Sequence, residues 1–389
     1  MGQNTNIGFE TALTVTGNPE SFVRLINNHG QLCKVKQAIP CPCVAANNGS
    51  ADYLCELCNG DGYVYTYQRR FLVSDEDSRT CDNKIYPFWN PILSVDKVQN
   101  VAACVQGGIT NLTVSSFDST SITLIENANN YTKKRVTYSF DGWTYVESEK
   151  LRVDAANKIM YADGTIYDAG FQSSNPLNAY ADIAKVVRIW NNATGEEIVQ
   201  YETEGNTITT NSTLDPDNMY MEYYYSDLTK TIHTDVNNRE NNEVYTHELK
   251  DGECKMAFYQ FVELSKGDII TLAATILYRS EQITHIGSFD KLWEIEVFDL
   301  GENIFDEDGN VYSIDIDYIL QGRHIKWLGT NKPADNKIIS VRYGYKPSYI
   351  VFENNPVPNA LENKQYPVIV LAKSWSKISK DDITRLVTS

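Results

Sequence analysis

Polar and apolar positions alternate over most of this chain. From about residue 67 onward, short segments carry aromatic or β-branched residues at every second position, and turn pairs such as Asp141-Gly142, Asp163-Gly164 and Asp308-Gly309 separate them. Alternation of this kind is typical of strands with one buried face, and an Asp-Gly pair between two strands favours a hairpin. The pattern therefore predicts a mainly β protein with a hairpin at each of these pairs.

A well-signalled helix is predicted near the start of the chain. Asn18 can cap it, Pro19 suits its first turn, and Gly30 can end it. Apart from residues 18–29, and a second candidate segment at 376–387, the chain lacks sustained 3.6-residue periodicity. We therefore expect little helix.

A strand motif recurs three times along the chain. It has an apolar residue followed by aromatic residues two and four positions later, at residues 136–140, 221–225 and 341–345. Another apolar strand lies upstream of each copy, around Val95, Val186 and Ile295. We infer two or three related β-domains in tandem, of sandwich or barrel-like form. Chance matches within a chain that has 25 tyrosines are the alternative.

Five of the eight cysteines crowd between residues 33 and 58. Two close pairs, Cys41-Pro42-Cys43 and Cys55-x-x-Cys58, are separated by eleven residues. Four thiolates in two such pairs can surround a tetrahedral Zn²⁺, and the glycines after the second pair free backbone N–H groups to bond the sulfurs. We predict a structural zinc ion held by Cys41, Cys43, Cys55 and Cys58.

Two other interpretations of the cysteine cluster stay open. Close cysteines in even number would also suit disulfide bonds in an oxidising compartment, and Cys55-x-x-Cys58 could be redox-active, although no thioredoxin-like βαβ pattern surrounds it. Cys33 lies eight residues before the first pair, and we expect it outside the ligand shell. We expect the scattered cysteines to be small buried apolar residues: Cys81, Cys104 and Cys254.

These patterns divide the chain into four segments. Residues 1–66 form the N-terminal helix and the four-cysteine zinc knuckle. Three β-domains follow, at residues 67–180, 181–288 and 289–389, the last with a C-terminal tail.

Charge and composition exclude several classes of function. The chain has 34 Lys and Arg against 51 Asp and Glu, a net charge of −17, which repels phosphate backbones and anionic lipid. Hydrophobic residues make up 42% of the chain, too many for a wholly disordered protein, and no apolar run reaches the roughly 20 residues that span a bilayer. No secretory signal opens the sequence. We expect a folded protein made in a reducing cytosol, with no membrane association and no specific affinity for DNA.

Enzyme signatures are missing from the sequence. It has no phosphate-binding loop, no Gly-x-Ser-x-Gly and no His-Glu-x-x-His, and its five histidines are dispersed. Residues 306–309 partly match a calcium loop, but a hairpin turn explains them better. We predict that the protein is not an enzyme.

Four sequence runs resemble one family. The runs LINNHGQLCKVKQAIPCPC and CELCNGDGYVYTY resemble the N-terminus of a group of tailed-bacteriophage virion proteins. The runs IKWLGTNKPADNKIISVRYGYKPSYIVFENNPVP and QYPVIVLAKSW look like the β-domain that closes such proteins. The likeness covers roughly residues 20–66 and 290–375, with extra β-repeats between them.

The resemblance implies a structural virion protein of the phage neck, the head-to-tail connector. Such a protein is a homo-oligomeric ring subunit, in six or twelve copies, that joins portal to tail and lines the channel through which DNA passes without specific binding. It is made in the host cytoplasm and located in the virion. A strongly acidic surface suits a lumen in which DNA must stay mobile.

Two alternatives belong to other classes. A tail-fibre or baseplate adhesin would bind host glycan or protein through exposed aromatic platforms. A β-sandwich glycoside hydrolase would use two carboxylates, but 51 acidic residues make any pair arbitrary. We expect the aromatic residues of the repeated strands in the core or in a subunit interface rather than at a sugar site.

Overall fold

Antiparallel strands make up most of the structure, a computed structural model. The structure is 58% strand and 5% helix, so the predicted mainly β fold class with few helices is confirmed. The structure describes residues 19–47, 49, 51–52, 55, 57–58, 60–81, 83–101, 109–125, 133–156, 158–162, 165–168, 171–174, 182–226, 228–234, 252–259, 261–300, 303–355 and 368–378.

The predicted N-terminal helix is present as α1, Pro19–His29. Gly30 ends it, donating its backbone N–H to the carbonyl of Ile26 at 2.8 Å, and the Ile26 side chain is fully buried. The proposed cap, Asn18, lies outside the described residues. A second short helix, α2, covers Pro42–Ala46. Of the segment predicted as a helix at 376–387, only residues 376–378 are described. Residues 376 and 377 belong to a 3-10 turn at Trp375–Lys377.

The strands are numbered in chain order. The first fifteen are β1 Gln31–Pro40, β2 Tyr63–Tyr67, β3 Arg70–Cys81, β4 Lys84–Ile85, β5 Ile92–Val101, β6 Ile109–Leu112, β7 Val114–Phe117, β8 Ile122–Leu124, β9 Lys133–Asp141, β10 Trp143–Lys150, β11 Arg152–Asp154, β12 Ile159–Tyr161, β13 Thr165–Asp168, β14 Phe171–Ser174 and β15 Ile183–Asn191. The others are β16 Tyr201–Glu204, β17 Thr207–Thr210, β18 Met219–Ser226, β19 Thr229–Thr234, β20 Glu253–Phe258, β21 Ile269–Leu272, β22 Leu277–Thr284, β23 Phe289–Lys291, β24 Glu296–Leu300, β25 Asn303–Asp306, β26 Val311–Ser313, β27 Tyr318–Gln321, β28 His324–Trp327, β29 Ile338–Lys346, β30 Ser348–Asn355 and β31 Val368–Ser374.

Six strands close into a barrel. Their order is β1, β19, β20, β31, β30 and β21, which returns to β1, and β2 pairs with β1 outside the ring. Buried side chains of these strands, among them Cys33, Met256 and Val370, belong to one apolar cluster. The barrel strands come from three of the four predicted segments, so the chain leaves the barrel and returns to it. The segment boundaries themselves stay a prediction.

The three motif copies are the central strands of three three-stranded units that share one strand order. We name them unit 1 (β3, β9, β5), unit 2 (β10, β18, β15) and unit 3 (β22, β29, β24), each written in spatial order with the central strand in the middle. In every unit both flanking strands precede the central strand in the chain, and the second flanking strand belongs to the apolar segment predicted upstream. The repeated tyrosines Tyr138, Tyr223 and Tyr343, which were expected in the core or in a subunit interface, are buried in the core of the chain.

Units 1 and 2 also share their irregularities. The register shifts at three matching places. One is on the first flanking strand, after Val73 and Val146, and two are on the second, after Ile92 and Ile183 and after Val95 and Val186. A β-bulge inserts an extra residue at a specific point and is not required by alternation alone. Matching bulges therefore favour related units over chance similarity of tyrosine-rich strands.

The predicted hairpins have different outcomes. Asp308-Gly309 connects β25 to β26 as predicted, and the Asp306 carboxylate accepts the backbone N–H groups of Asp308 and Asn310 at 3.0 and 2.8 Å. The hairpin predicted at Asp141-Gly142 is wrong, because β3 and β5 already occupy both edges of β9 and the chain crosses into unit 2. Asp163-Gly164 lies outside the described residues, and β12 and β13 on either side belong to different sheets.

None of the helices in the described part of the chain has the length and apolar character that a membrane crossing requires.

Candidate metal centre

The four predicted ligands come together in space. Cys41 Sγ lies 3.7 Å from Cys55 Sγ, and Cys43 Sγ lies 3.6 Å from Cys58 Sγ. All four sulfurs lie within 4.8 Å of one another. A tetrahedral Zn²⁺ with bonds of about 2.3 Å holds its sulfurs roughly 3.8 Å apart. The observed spacing therefore fits one metal ion of that size.

The first pair is positioned where β1 gives way to α2. Pro40 ends the strand and Pro42 occupies the first turn of the helix, where a missing N–H costs nothing. Cys41 donates its backbone N–H to the carbonyl of Gly62 at 2.9 Å. This bond closes residues 41–62, which we name the metal loop, at its base.

The second pair is held by backbone N–H groups, as the sequence predicted. Those of Cys58 and Leu57 bond to the sulfur of Cys55 and lower its pKa to about 7, and those of Gly62 and Gly60 bond to the sulfur of Cys58. Gly60 and Gly62 have φ angles of 80° and 78°, which a side chain would strain. Donors aimed at the sulfurs stabilise thiolates, the form that binds metal.

The sulfurs are free thiols rather than disulfides. A disulfide would bring two sulfurs to about 2.05 Å, and all cysteines in the described residues are unbonded. Cys41 and Cys58 are buried, and burial raises the pKa of both. The side chains of Val44 and Val64 pack around the cluster.

The other cysteines do not join this group. Cys33 lies in the barrel interior, where burial raises its pKa strongly. Cys254 is buried as predicted, but Cys81 is exposed, so that prediction is wrong. Cys81 pairs with Lys84 beside a tight turn, at the end of a strand where little covers a side chain. Cys104 lies outside the described residues.

An acidic residue anchors the metal loop to β23 and to the turn between β27 and β28, a contact the sequence did not reveal. Asp61 accepts hydrogen bonds from Arg323, which is buried, and from Lys291 at 3.1 Å. Arg323 lies in the turn between β27 and β28. The loop is therefore fixed by ion pairs as well as by its own backbone.

A second polar cluster missed by the sequence analysis surrounds Lys34. Lys34 of β1 bonds to Asp182, which directly precedes β15, and to Glu296 of β24 at 2.6 Å. Tyr67 also donates to Asp182. Burial alone would raise the pKa of Asp182, but Lys34 and Lys36 hold it well below its usual range. This cluster joins the barrel to units 2 and 3.

Comparisons with known proteins do not place the chain in a family. No protein-family model matches it. No curated protein matches it either.

Proposed function

We propose that this protein is a non-enzymatic structural subunit of a tailed-phage neck, forming the ring that joins portal to tail. One observation carries the proposal. The two stretches that resemble phage neck proteins, residues 20–66 and 290–375, lie far apart in the sequence but pack together in the fold. If both stretches descend from one ancestral neck protein, they should pack against each other in the folded chain.

Their contacts are specific. Asp61 of the first stretch accepts a hydrogen bond from Lys291 of the second at 3.1 Å, and Lys34 of the first donates to Glu296 of the second at 2.6 Å. Tyr63 of the first stretch packs in one cluster with Trp293, Ile350 and Trp375 of the second. Units 1 and 2 are then insertions between the two blocks, which supports the interpretation of extra β-repeats.

The metal we propose for the centre is a structural Zn²⁺. Thiolate ligands suit zinc, and four of them fill a tetrahedral shell without leaving a position for water or substrate. In such a centre the metal stabilises a loop and does no chemistry.

The acidic chain suits the lumen of a ring. A net charge of −17 repels the DNA that passes through and keeps it from adhering. In this proposal the partners are further copies of the chain, six or twelve in all, together with portal and tail proteins. The protein is made in the host cytoplasm and reaches its place in the virion.

Copy number tests the assignment. Quantitative mass spectrometry of purified particles should give about six or twelve copies per particle, as closed cyclic rings on a portal require. Antibody labelling should mark the portal-to-tail junction. Hundreds of copies would assign the protein to capsid or tail tube, and multiples of three confined to the fibre fraction would favour an adhesin.

One surface favours the adhesin as second candidate. The outer face of unit 2 carries Tyr145 and Tyr224, paired across the strands with rings 5.1 Å apart. The matching positions of unit 1 are Leu72 and Ser139. Because the two units share one fold, the fold does not require aromatic residues here. Binding on a glycan array, lost in Tyr145→Ala, would favour the adhesin.

A further inference from the structure

A cleft of about 590 Å³ lies beside β2. Three parts of the fold border the cleft: the metal loop with Asp61, the start of β15 with Ile183, and the β27–β28 turn with Arg323. This volume is typical of ligand-binding sites. The metal loop also contributes Leu57 and Cys58 to the lining, so the cleft adjoins the four-cysteine centre.

The cleft runs along the edge of β2 rather than over one of its faces. All five residues of Tyr63–Tyr67 line it. Successive side chains of a strand point to opposite faces, so a cavity over one face contacts every second residue. Contact with five consecutive residues places the cleft at the edge. β2 is the outermost strand of its sheet, with β1 as its only strand partner among the described residues.

The backbone of β2 offers hydrogen bonds toward this edge. Cys41 donates to Gly62 at 2.9 Å, and in that register Val64 and Thr66 bond to β1 while Tyr65 and Tyr67 face away. The same alternation on β1 points the backbone N–H of Ala38 away from β2. This N–H donates to the carboxylate of Asp268 at 2.7 Å. The N–H and C=O groups of Tyr65 and Tyr67 therefore point to the cleft side.

The charges around the cleft cancel. Lys36 and Arg323 are balanced by Asp61 and Glu204, and all four line the cleft. A charged side chain entering the cleft would meet no surplus of the opposite sign and would lose its hydration. The remaining wall includes the apolar side chains of Ile183, Ile269 and Ile295.

We propose that this cleft binds an extended, uncharged peptide segment of a different protein, added as a new strand to the free edge of β2. Main-chain hydrogen bonds to Tyr65 and Tyr67 supply the affinity, and the isoleucines accept alternate apolar side chains. A donated peptide segment must be free of a sheet of its own, and within the described residues every strand of this chain already belongs to a sheet, so the segment comes from a different protein. The proposal does not depend on the ring assignment.

The test uses the full-length protein and two yeast-displayed libraries of ten-residue peptides. One library lacks Asp, Glu, Lys and Arg, and the other includes them. Selected peptides are compared on Tyr65→Pro and Tyr65→Ala. Both variants lose the same side chain, but only proline removes the outward N–H, and it breaks no bond to β1.

We expect uncharged peptides to dominate both selections. Their Kd should rise at least about tenfold more in Tyr65→Pro than in Tyr65→Ala, a difference of about 1.4 kcal/mol. Residue-resolved hydrogen exchange on the wild type, which needs no variant to fold, should show slower exchange at Tyr65 and Tyr67 with peptide bound, and unchanged slow exchange at Val64 and Thr66.

Several results would overturn the proposal. They are recovery of no peptide, equal binding to the two variants, unchanged exchange at Tyr65 and Tyr67, or enrichment of charged sequences. Self-association of the wild-type protein that is lost in Tyr65→Pro would overturn the assigned source, because a second copy would then be the donor.

Discussion

The hydroxyl of Tyr223 donates a hydrogen bond of 2.5 Å to Oε2 of Glu149 inside unit 2. Both side chains are buried, Glu149 completely. The same pair recurs in the other units, as Tyr138 with Glu76 at 2.6 Å and Tyr343 with Glu281 at 3.1 Å. A buried carboxylate is costly unless donors reach it, so each pair ties the first flanking strand to the central strand in one register.

Removing this hydroxyl should destabilise unit 2. We expect Tyr223→Phe to lower the free energy of unfolding by about 1.5–3 kcal/mol, because it leaves a buried carboxylate with one donor fewer. Tyr145→Phe is the control, since its hydroxyl bonds to Glu222 at an exposed position and should matter by less than about 0.5 kcal/mol. Denaturant titration and hydrogen exchange in β18 measure both. Equal effects would show that burial of the pair is irrelevant.

Metal content tests the four-cysteine centre. The purified protein should hold about one Zn²⁺ per chain by elemental analysis. Cys58→Ser should release the metal and speed hydrogen exchange in the metal loop while the barrel and the units stay folded, because metal binding supplies the folding free energy of such small loops. Cys81→Ser, at an exposed thiol outside the cluster, should keep its metal. A zinc-free protein, or a Cys58→Ser variant with full metal content, would contradict the assignment.

The buried lysine of β1 should be a major determinant of stability. Lys34→Met leaves Asp182 and Glu296 buried with fewer cations, and breaking a buried ion pair in this way costs about 3–5 kcal/mol. Lys337→Met removes a more exposed lysine that pairs with Glu307 and Asp308 at 2.9 and 3.0 Å, and should cost under about 1 kcal/mol. Chemical denaturation compares the two. A Lys34→Met variant as stable as Lys337→Met would mean that water or relaxation satisfies the acids.

His324 should make stability depend on pH. Burial, together with Arg323 and Lys291, lowers the pKa of His324 from 6.5 to about 4. The unfolded chain takes up this proton near pH 6.5 and the folded chain only near pH 4, so the free energy of unfolding should fall as the pH drops between them. His324→Gln should flatten that part of the profile. Identical slopes of Tm against pH in the wild type and the variant would exclude His324 as a contributor.

Local signals in the sequence were sufficient for some elements. The spacing of Pro19 and Gly30 predicted α1, and the two cysteine pairs predicted which sulfurs meet, because both depend on residues close in the chain. The repeated strands could be predicted because buried and exposed residues alternate along a strand whichever sheet it belongs to. A further signal went unused: the flanking strands of units 1 and 2 share Val73-x-x-Glu76 and Val146-x-x-Glu149, which mark the bulge and the buried acid.

Long-range pairing was beyond the sequence patterns. Nothing local indicates that Gln31 pairs with Thr231, or that Lys34 meets Asp182 and Glu296. The incorrect prediction of a hairpin at Asp141-Gly142 has the same origin. An Asp-Gly pair indicates a turn, but it does not indicate whether the strand before it still has a free edge at which the next strand can pair.

The barrel imposes an order on how the chain can fold. The strands of unit 1 lie between residues 70 and 141, and those of unit 2 between 143 and 226, so each can assemble while synthesis continues. The barrel contains β1 from the start of the chain and β31 from its end, so it closes last and at the greatest cost in loop entropy. Until Val368–Ser374 leaves the ribosome, β20 and β30 present open edges of the kind that pair with other molecules. A chain cut short before β31 would carry its folded units on an open, aggregation-prone sheet.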